Sequence, residues 1–195
     1  MPQQAFLARY SVRPYVITVF GAESTGKTTL SRQLTLALSA PWYEEYARPY
    51  LEKTGAAVTT QSMRAIWHGQ RSLQTRAKEH HKPYSVQDTD LFSTVGYWQL
   101  PHRESSLGMC PTQLISDAQR LRSDLYLITQ SNIPFEADPL RYGGDRRESL
   151  DDYWVHLCET YQLPYVVIKA HAPKKRLAES LLIIKERTTP CAALS

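Results

Sequence analysis

The sequence predicts an α/β fold in which helices cover both faces of a parallel sheet, three layers in all, with a small lid added. Three observations lead there. Short β-branched and aromatic runs alternate along the chain with longer segments of helical periodicity, the pattern of parallel strands joined by crossover helices. The first run leads directly into Gly21-Ala22-Glu23-Ser24-Thr25-Gly26-Lys27-Thr28, which fits the phosphate-loop pattern G-x-x-x-x-G-K-[ST] at every fixed position. At 195 residues the chain suits one domain with a substantial core.

Each element follows in order. Residues 1–14 read as a flexible leader that Arg13-Pro14 ends. Tyr15-Val16-Ile17-Thr18-Val19-Phe20 has the composition of a buried strand, and Leu30, Leu34 and Leu38 recur every four residues behind the loop as one helix face. Pro41 closes that helix region. Trp42 to Arg48 reads as a short aromatic strand, and residues 49–60, with Pro49 and Gly55, as a turn-rich connection. Met63, Ile66, Trp67, Leu73 and Ala77 predict a helix over 61–81, which Pro83 stops.

Tyr84-Ser85-Val86-Gln87 reads as the third strand, leading into Asp88-Thr89-Asp90 and a helix over 91–100. Residues 101–111 form a surface connection and 112–122 a short helix. Leu125-Tyr126-Leu127-Ile128-Thr129 is a buried strand, followed by a polar lid at about 130–147 with Gly143-Gly144 as its hinge. A helix over 148–161, the strand Tyr165-Val166-Val167-Ile168 and a helix over 174–187 complete one domain spanning 15–187; residues 188–195 are a tail.

The loop carries the strongest chemical signal. Gly21 and Gly26 let the backbone turn so that N–H groups converge, and the positive end of the next helix adds to their field. Residues Gly21, Ala22, Glu23, Ser24, Thr25, Gly26, Lys27, Thr28 and Thr29 are therefore the expected ATP-binding set. Lys27 would reach the β- and γ-phosphates, and Thr28 would hold Mg²⁺.

Ligands of an open α/β sheet bind beyond the carboxyl ends of its strands. Those ends deliver Glu44, Glu45 and Arg48 after the second strand, Asp88 and Asp90 after the third, and Asp138 and Arg141 after the fourth. Asp88 is the expected metal carboxylate, while Asp90 also suits a helix cap. Glu45, Asp88 and Asp90 each could orient or deprotonate an acceptor hydroxyl, and Arg141 could neutralise charge on a transferred phosphoryl group. Tyr43, Tyr46, Trp67 and Trp98 could stack on a flat ring. Glu45, Tyr46, Arg48, Asp90 and Asp138 make up the expected substrate side.

Charge and composition narrow the partners. Lys and Arg number 23 against 19 Asp and Glu, a net charge of +4 with no long basic run, so a phosphate site accounts for the excess without nucleic acid. Cys110, Cys158 and Cys191 lack metal spacing and read as free thiols of a cytoplasmic protein. No segment approaches the roughly 20 apolar residues of a membrane span.

Taken together, Gly21 to Thr28, Glu45-Tyr46-Ala47-Arg48, Gln70-Arg71, Asp88-Thr89-Asp90, Asp138-x-Leu140-Arg141 and Leu163-Pro164-Tyr165 resemble the ribosylnicotinamide kinase domain of NadR-type proteins, a branch of the phosphate-loop NTPases. The resemblance runs over about residues 15–187. It implies transfer of the ATP γ-phosphate to the 5′-hydroxyl of nicotinamide riboside, giving nicotinamide mononucleotide for NAD synthesis. By the same resemblance, Lys27 and Thr28 serve ATP and Mg²⁺, Asp88 or Asp90 the metal and hydroxyl, Glu45 and Arg48 the substrate, and Asp138 and Arg141 the lid. Pro139 departs from the glycine usual in that family, as does the segment from Pro101 to Pro111, and no adenylyltransferase or DNA-binding part is present in this sequence. A kinase for another nucleoside, deoxynucleoside or nucleotide shares every motif. A nucleotide-driven switch is the alternative of a different class, although no N-K-x-D box supports it.

Overall fold

The computed structural model describes residues 13–55, 57–100, 106–133 and 147–189. Its elements are β1 (Tyr15–Gly21), α1 (Lys27–Leu38), β2 (Trp42–Tyr43), α2 (Ala47–Thr54), α3 (Thr60–Lys78), β3 (Tyr84–Asp88), α4 (Leu91–Gln99), α5 (Thr112–Leu121), β4 (Leu125–Thr129), α6 (Arg147–Thr160), β5 (Tyr165–Ile168) and α7 (Pro173–Thr188). The five strands form one sheet in the order β2-β3-β1-β4-β5. Every adjacent pair is parallel, with Val19 opposite Asp88 and Gly21 opposite Thr129 at the carboxyl ends.

Strand alternation divides the interior into two layers of packing. Ile17 and Val19 of β1, with Leu125 and Leu127 of β4, face Leu30 and Leu34 of α1 and Ile184 of α7. Phe20, Tyr126 and Ile128 point the other way, into a cluster with Ile66 and Trp67 of α3, Phe92 and Val95 of α4, Leu114 of α5 and Trp154 of α6. Phe20 meets Tyr126 and Trp154 edge to face, with centroids 5.7 and 5.2 Å apart. Each such side chain contributes about 1.5–3 kcal/mol when removed from water, so the sheet is held from both sides.

Four sequence expectations need correction. The second strand is only Trp42–Tyr43, and α2 takes up the end of the stretch read as that strand and the first half of the one read as a turn-rich connection. Pro49 lies in the first turn of α2, where its missing N–H has no helical partner to lose, and Leu51 fixes the helix through its buried side chain. The α3 helix starts one residue early and stops at Lys78, ahead of Pro83. Its start is set by a capping box in which Thr59 Oγ1 accepts from Ser62 N at 3.2 Å and Ser62 Oγ accepts from Thr59 N at 2.8 Å. The leader's last two residues belong to the fold: Arg13 grips Asp124 through two 2.7 Å bonds, and Pro14 is buried.

Candidate active site

The loop between β1 and α1 is locked by contacts to β4. Gly21 has φ 128°, and a Cβ there would lie 2.4 Å from the Thr129 carbonyl oxygen, so both the dihedral and the space demand glycine. Thr25 Oγ1 donates to Ala22 O at 2.8 Å and lies 2.7 Å from Thr129 Oγ1. Gly26, at φ 80°, caps α1 without a side-chain bond, leaving the first N–H groups of that helix for a ligand. Lys27 folds back so that Nζ donates to Ala22 O at 2.6 Å, and Thr28 and Thr29 are exposed at the helix start.

Arg176, on α7, holds this loop from behind. Only 3% of it is exposed. Nε donates to Ala170 O at 2.9 Å and Nη2 to Gln130 O at 3.2 Å, while the guanidinium also donates to Thr25 O and to Asn132 Oδ1. Burial lowers its pKa, and the carboxylates of Glu179 and Asp151 oppose that shift. One side chain thus joins the phosphate loop to the segments that leave β4 and β5.

The carboxylates around the loop differ in what they are free to do. Thr28 Oγ1 donates to Asp88 Oδ2 at 2.5 Å, while Asp88 Oδ1 is buried and has no hydrogen-bond partner. Burial raises the Asp88 pKa; the Thr28 bond and the Lys27 charge act against it. An orphaned anionic oxygen beside a helix-terminal hydroxyl suits a hard divalent cation that keeps much of its water. Among the described residues no group of three or more His, Cys, Asp or Glu is arranged to hold a metal ion by itself, and a Mg²⁺ held by Thr28 and Asp88 would complete its shell with phosphate oxygens and water.

Glu45 lies near both charged groups. Burial raises its pKa, Lys27 pulls it back down, and Asp88 pushes it up again. Asp90 is placed differently: Oδ1 accepts from Phe92 N at 2.9 Å as the cap of α4, and Oδ2 accepts from the Tyr126 hydroxyl at 2.6 Å. Burial, the dominant effect on it, raises its pKa to about 6. Between the two aspartates Thr89 holds φ 63°, an uncommon value for a β-branched residue and a mark of local strain.

A cavity of about 730 Å³ runs from the loop to the helices. Residues Glu23 to Thr29, Glu45 and Asp90 line its polar end, and Leu51, Val58, Met63, Ile66 and Tyr97 its apolar end. Arg48 also lines it and pairs with Glu52 at 3.5 Å. The structure therefore brings together the loop, Glu45, Arg48, Asp88 and Asp90. Asp138 and Arg141 lie outside the described residues.

The aromatic candidates are elsewhere. Tyr46 does not line the cavity: its ring lies where a Cβ on Gly69 would be, 2.3 Å away, and it stacks on Tyr50 at 6.0 Å. Trp67 donates to Asp117 at 3.1 Å and Trp98 to Gly108 O at 3.1 Å, each serving the core. Tyr43 donates to Arg76 O at 3.1 Å. Gln70, quoted above only for the resemblance and given no role there, also lines the cavity; among the described residues the sequence reading missed Tyr97, whose phenol ring reaches it, Ser93, Thr94 and the stretch from His171 to Pro173. The rule that strand ends deliver ligand residues, carried on to β5, would have found the last of these.

Comparison with known proteins agrees with this architecture. The family model described as AAA domain matches residues 16–176. No curated protein matches the chain. Among solved structures, NadR protein in complex with NR shares 24% identity at a TM-score of 0.68, over 93% of this chain and 54% of that one. Deoxyadenosine kinase from M. mycoides with products dCMP and dCDP bound gives 14% identity and a TM-score of 0.65 over 88% and 99%. Thymidylate kinase from Ehrlichia chaffeensis gives 14% and 0.64 over 88% and 98%. The chain spans about half the length of the NadR chain it matches. At these identities the shared property is the fold. Among the described residues no helix is long and apolar enough to cross a membrane.

Proposed function

We propose a function that proceeds from one fact: this chain belongs to the AAA domain family, whose model matches residues 16–176. It is a MgATP-dependent kinase that phosphorylates the 5′-hydroxyl of a nucleoside, with nicotinamide riboside as the acceptor. The observation that carries this reading is the unpartnered Asp88 Oδ1 beside Thr28, at the mouth of a glycine-bounded loop and one end of a cavity large enough for a nucleotide and a nucleoside. The ordered resemblance to NadR-type kinase domains, and the fold shared with NadR and with deoxyadenosine and thymidylate kinases, support the choice of acceptor class.

The residues divide the work as follows. Loop N–H groups and the α1 N-terminus bind the polyphosphate, and Lys27 exchanges its bond to Ala22 O for the β- and γ-phosphates. Thr28 and Asp88 hold Mg²⁺, which when bound neutralises charge on the phosphate oxygens. Glu45 accepts the hydrogen bond of the acceptor hydroxyl and orients it toward the γ-phosphorus. It is preferred because Asp88 faces Thr28 and both Asp90 oxygens are engaged. Arg48 holds the ribose side. The apolar wall takes the base and excludes water from the reacting groups. By the sequence resemblance, Asp138 and Arg141 would serve the same site, Arg141 countering charge on the transferred group.

The test is ATP consumption across a panel of nucleosides, deoxynucleosides and nucleotides that includes nicotinamide riboside. Stimulation by nicotinamide riboside alone is the expected result. Stimulation by another nucleoside moves the acceptor while keeping the kinase, and turnover indifferent to every acceptor would refute it in favour of a switch.

A further inference from the structure

Among the described residues that line the cavity, Gln70 is the one whose side-chain amide has a hydrogen bond left unmet. It lies on the α3 face that also presents Met63 and Ile66, seven and four residues before it in helical register, so it interrupts an otherwise aliphatic wall. Only 2% of the residue is exposed. Gln70 Oε1 accepts from Tyr46 N at 3.0 Å. A backbone N–H can bond only the oxygen of an amide, so this contact fixes which way the amide is turned. The NH₂ half is left over, and Nε2 is buried with no partner. Leaving such a donor unpaired is costly, and an unpaired donor in a cavity wall is explained when a ligand supplies the acceptor.

We propose that Gln70 Nε2 is a specificity-determining donor that hydrogen-bonds a carbonyl oxygen on the ring of the acceptor nucleoside. This rests on the kinase reading and adds the chemical class of the base: one that offers a carbonyl, as a carboxamide or a ring oxo group, to an amide turned to donate. The flanking aliphatic side chains take the ring itself, and Tyr46 acts through its main chain, setting the amide orientation while its own ring stays against Gly69. A base with an amino group at that place would set donor against donor.

The experiment is calorimetric binding to the full chain, using matched pairs that differ in the carbonyl. Nicotinamide riboside is compared with N-ribosylpyridinium, and inosine with purine riboside, on the wild type and on Gln70→Glu and Gln70→Leu. Gln70→Glu keeps an oxygen for Tyr46 N and loses the donor; Gln70→Leu loses both. The readout is the affinity ratio within a pair, in which effects of fold and of added charge cancel. The wild type is expected to prefer the carbonyl-bearing member by about tenfold, roughly one hydrogen bond, and both variants to bring that ratio to about one. The pair that shows the ratio identifies the source of the carbonyl.

A wild type without preference, or a ratio that survives in both variants, overturns the proposal. If the ratio behaves as expected but ATP is not consumed with the preferred nucleoside, the kinase reading fails and the binding assignment stands. If no ribonucleoside binds at all, both fail.

Discussion

Replacing Arg176 by methionine tests whether the phosphate loop is shaped from behind. Methionine matches much of the volume and removes every donor. Four acceptors lose their partner: Ala170 O, Gln130 O, Thr25 O and Asn132 Oδ1. Water can replace the guanidinium at the partly buried Gln130 and Asn132. At Thr25 O, whose bond to Arg176 is buried, it cannot, and an unpaired buried carbonyl costs about 1–3 kcal/mol. Adding smaller losses at the other three, and subtracting the relief of no longer burying a cation, gives a net destabilisation of about 3 kcal/mol. That is a large share of a typical 5–15 kcal/mol stability, and for a chain of this size it lowers Tm by roughly 6–12 °C. Urea unfolding measures the first quantity and ATP titration a second one. Weaker ATP binding should exceed what the unfolded fraction explains, because Thr25 and Gly26 lose their support. Arg176→Lys, which keeps the charge with fewer and differently placed donors, should recover only part of either loss. An Arg176→Met protein within about 0.5 kcal/mol of wild type, with ATP affinity unchanged, would show that the clamp contributes nothing.

Three other outcomes follow from the same geometry. Gly21→Ala places a methyl group 2.4 Å from a main-chain oxygen at a φ of 128°, so thermal denaturation should fall by at least about 2 kcal/mol in stability, with loss of ATP binding in whatever folds. Asp88→Asn should cut turnover by about 100-fold or more and raise the Mg²⁺ concentration needed for half-maximal rate; an unchanged Mg²⁺ titration removes Asp88 from the metal site. For Asp90 the folded pKa of about 6 stands above the usual carboxylate value of about 3.9, so the folded state keeps its proton after the unfolded state has lost it. Its stabilising contribution is complete below about pH 4 and lost as pH rises through 6, a swing of roughly 3 kcal/mol at most. Denaturant unfolding at pH 4, 5, 6 and 7 should show that slope in the wild type but not in Asp90→Asn; matching slopes would rule it out.

What could be read from the sequence was what depends on pattern. Leu125-Tyr126-Leu127-Ile128-Thr129 became β4 with no change of boundary, because a five-residue apolar run has few alternatives once flanked by polar residues. Helix α2 was missed because Pro49 and Gly55 look alike in a turn and at the two ends of a short helix; burial of Leu51, a tertiary effect, decides between them. Periodicity placed Trp67 on the inner side of α3 without saying whether that side meets core or cavity. Asp117, 50 residues away, settled it by accepting the indole N–H. Arg176 was invisible for a related reason. Arginine is ordinarily exposed, and three of its four acceptors here are main-chain carbonyls, which every residue carries and no motif marks.

The two ends of the cavity are built by different means, and this bears on how acceptor choice could vary. Around the loop the contacts that set shape end on main-chain carbonyls: Gly21 against Thr129 O, Lys27 and Thr25 on Ala22 O, Arg176 on Thr25 O. Such contacts leave little room for substitution, since each needs one particular donor, or the absence of a side chain, at a fixed place. The other end is a set of side chains on α2, α3 and α4, where Leu51, Met63, Ile66 and Tyr97 stand on helices that already pack into the core. Exchanging one of these alters the shape offered to a base without disturbing the loop, so long as the volume removed is small. Gln70 belongs to that second set by position and to the first by its bond to Tyr46 N. Its amide is therefore oriented by the backbone while the residue itself lines the part of the site most open to change, which makes it the place where a single substitution should redirect the base and spare ATP.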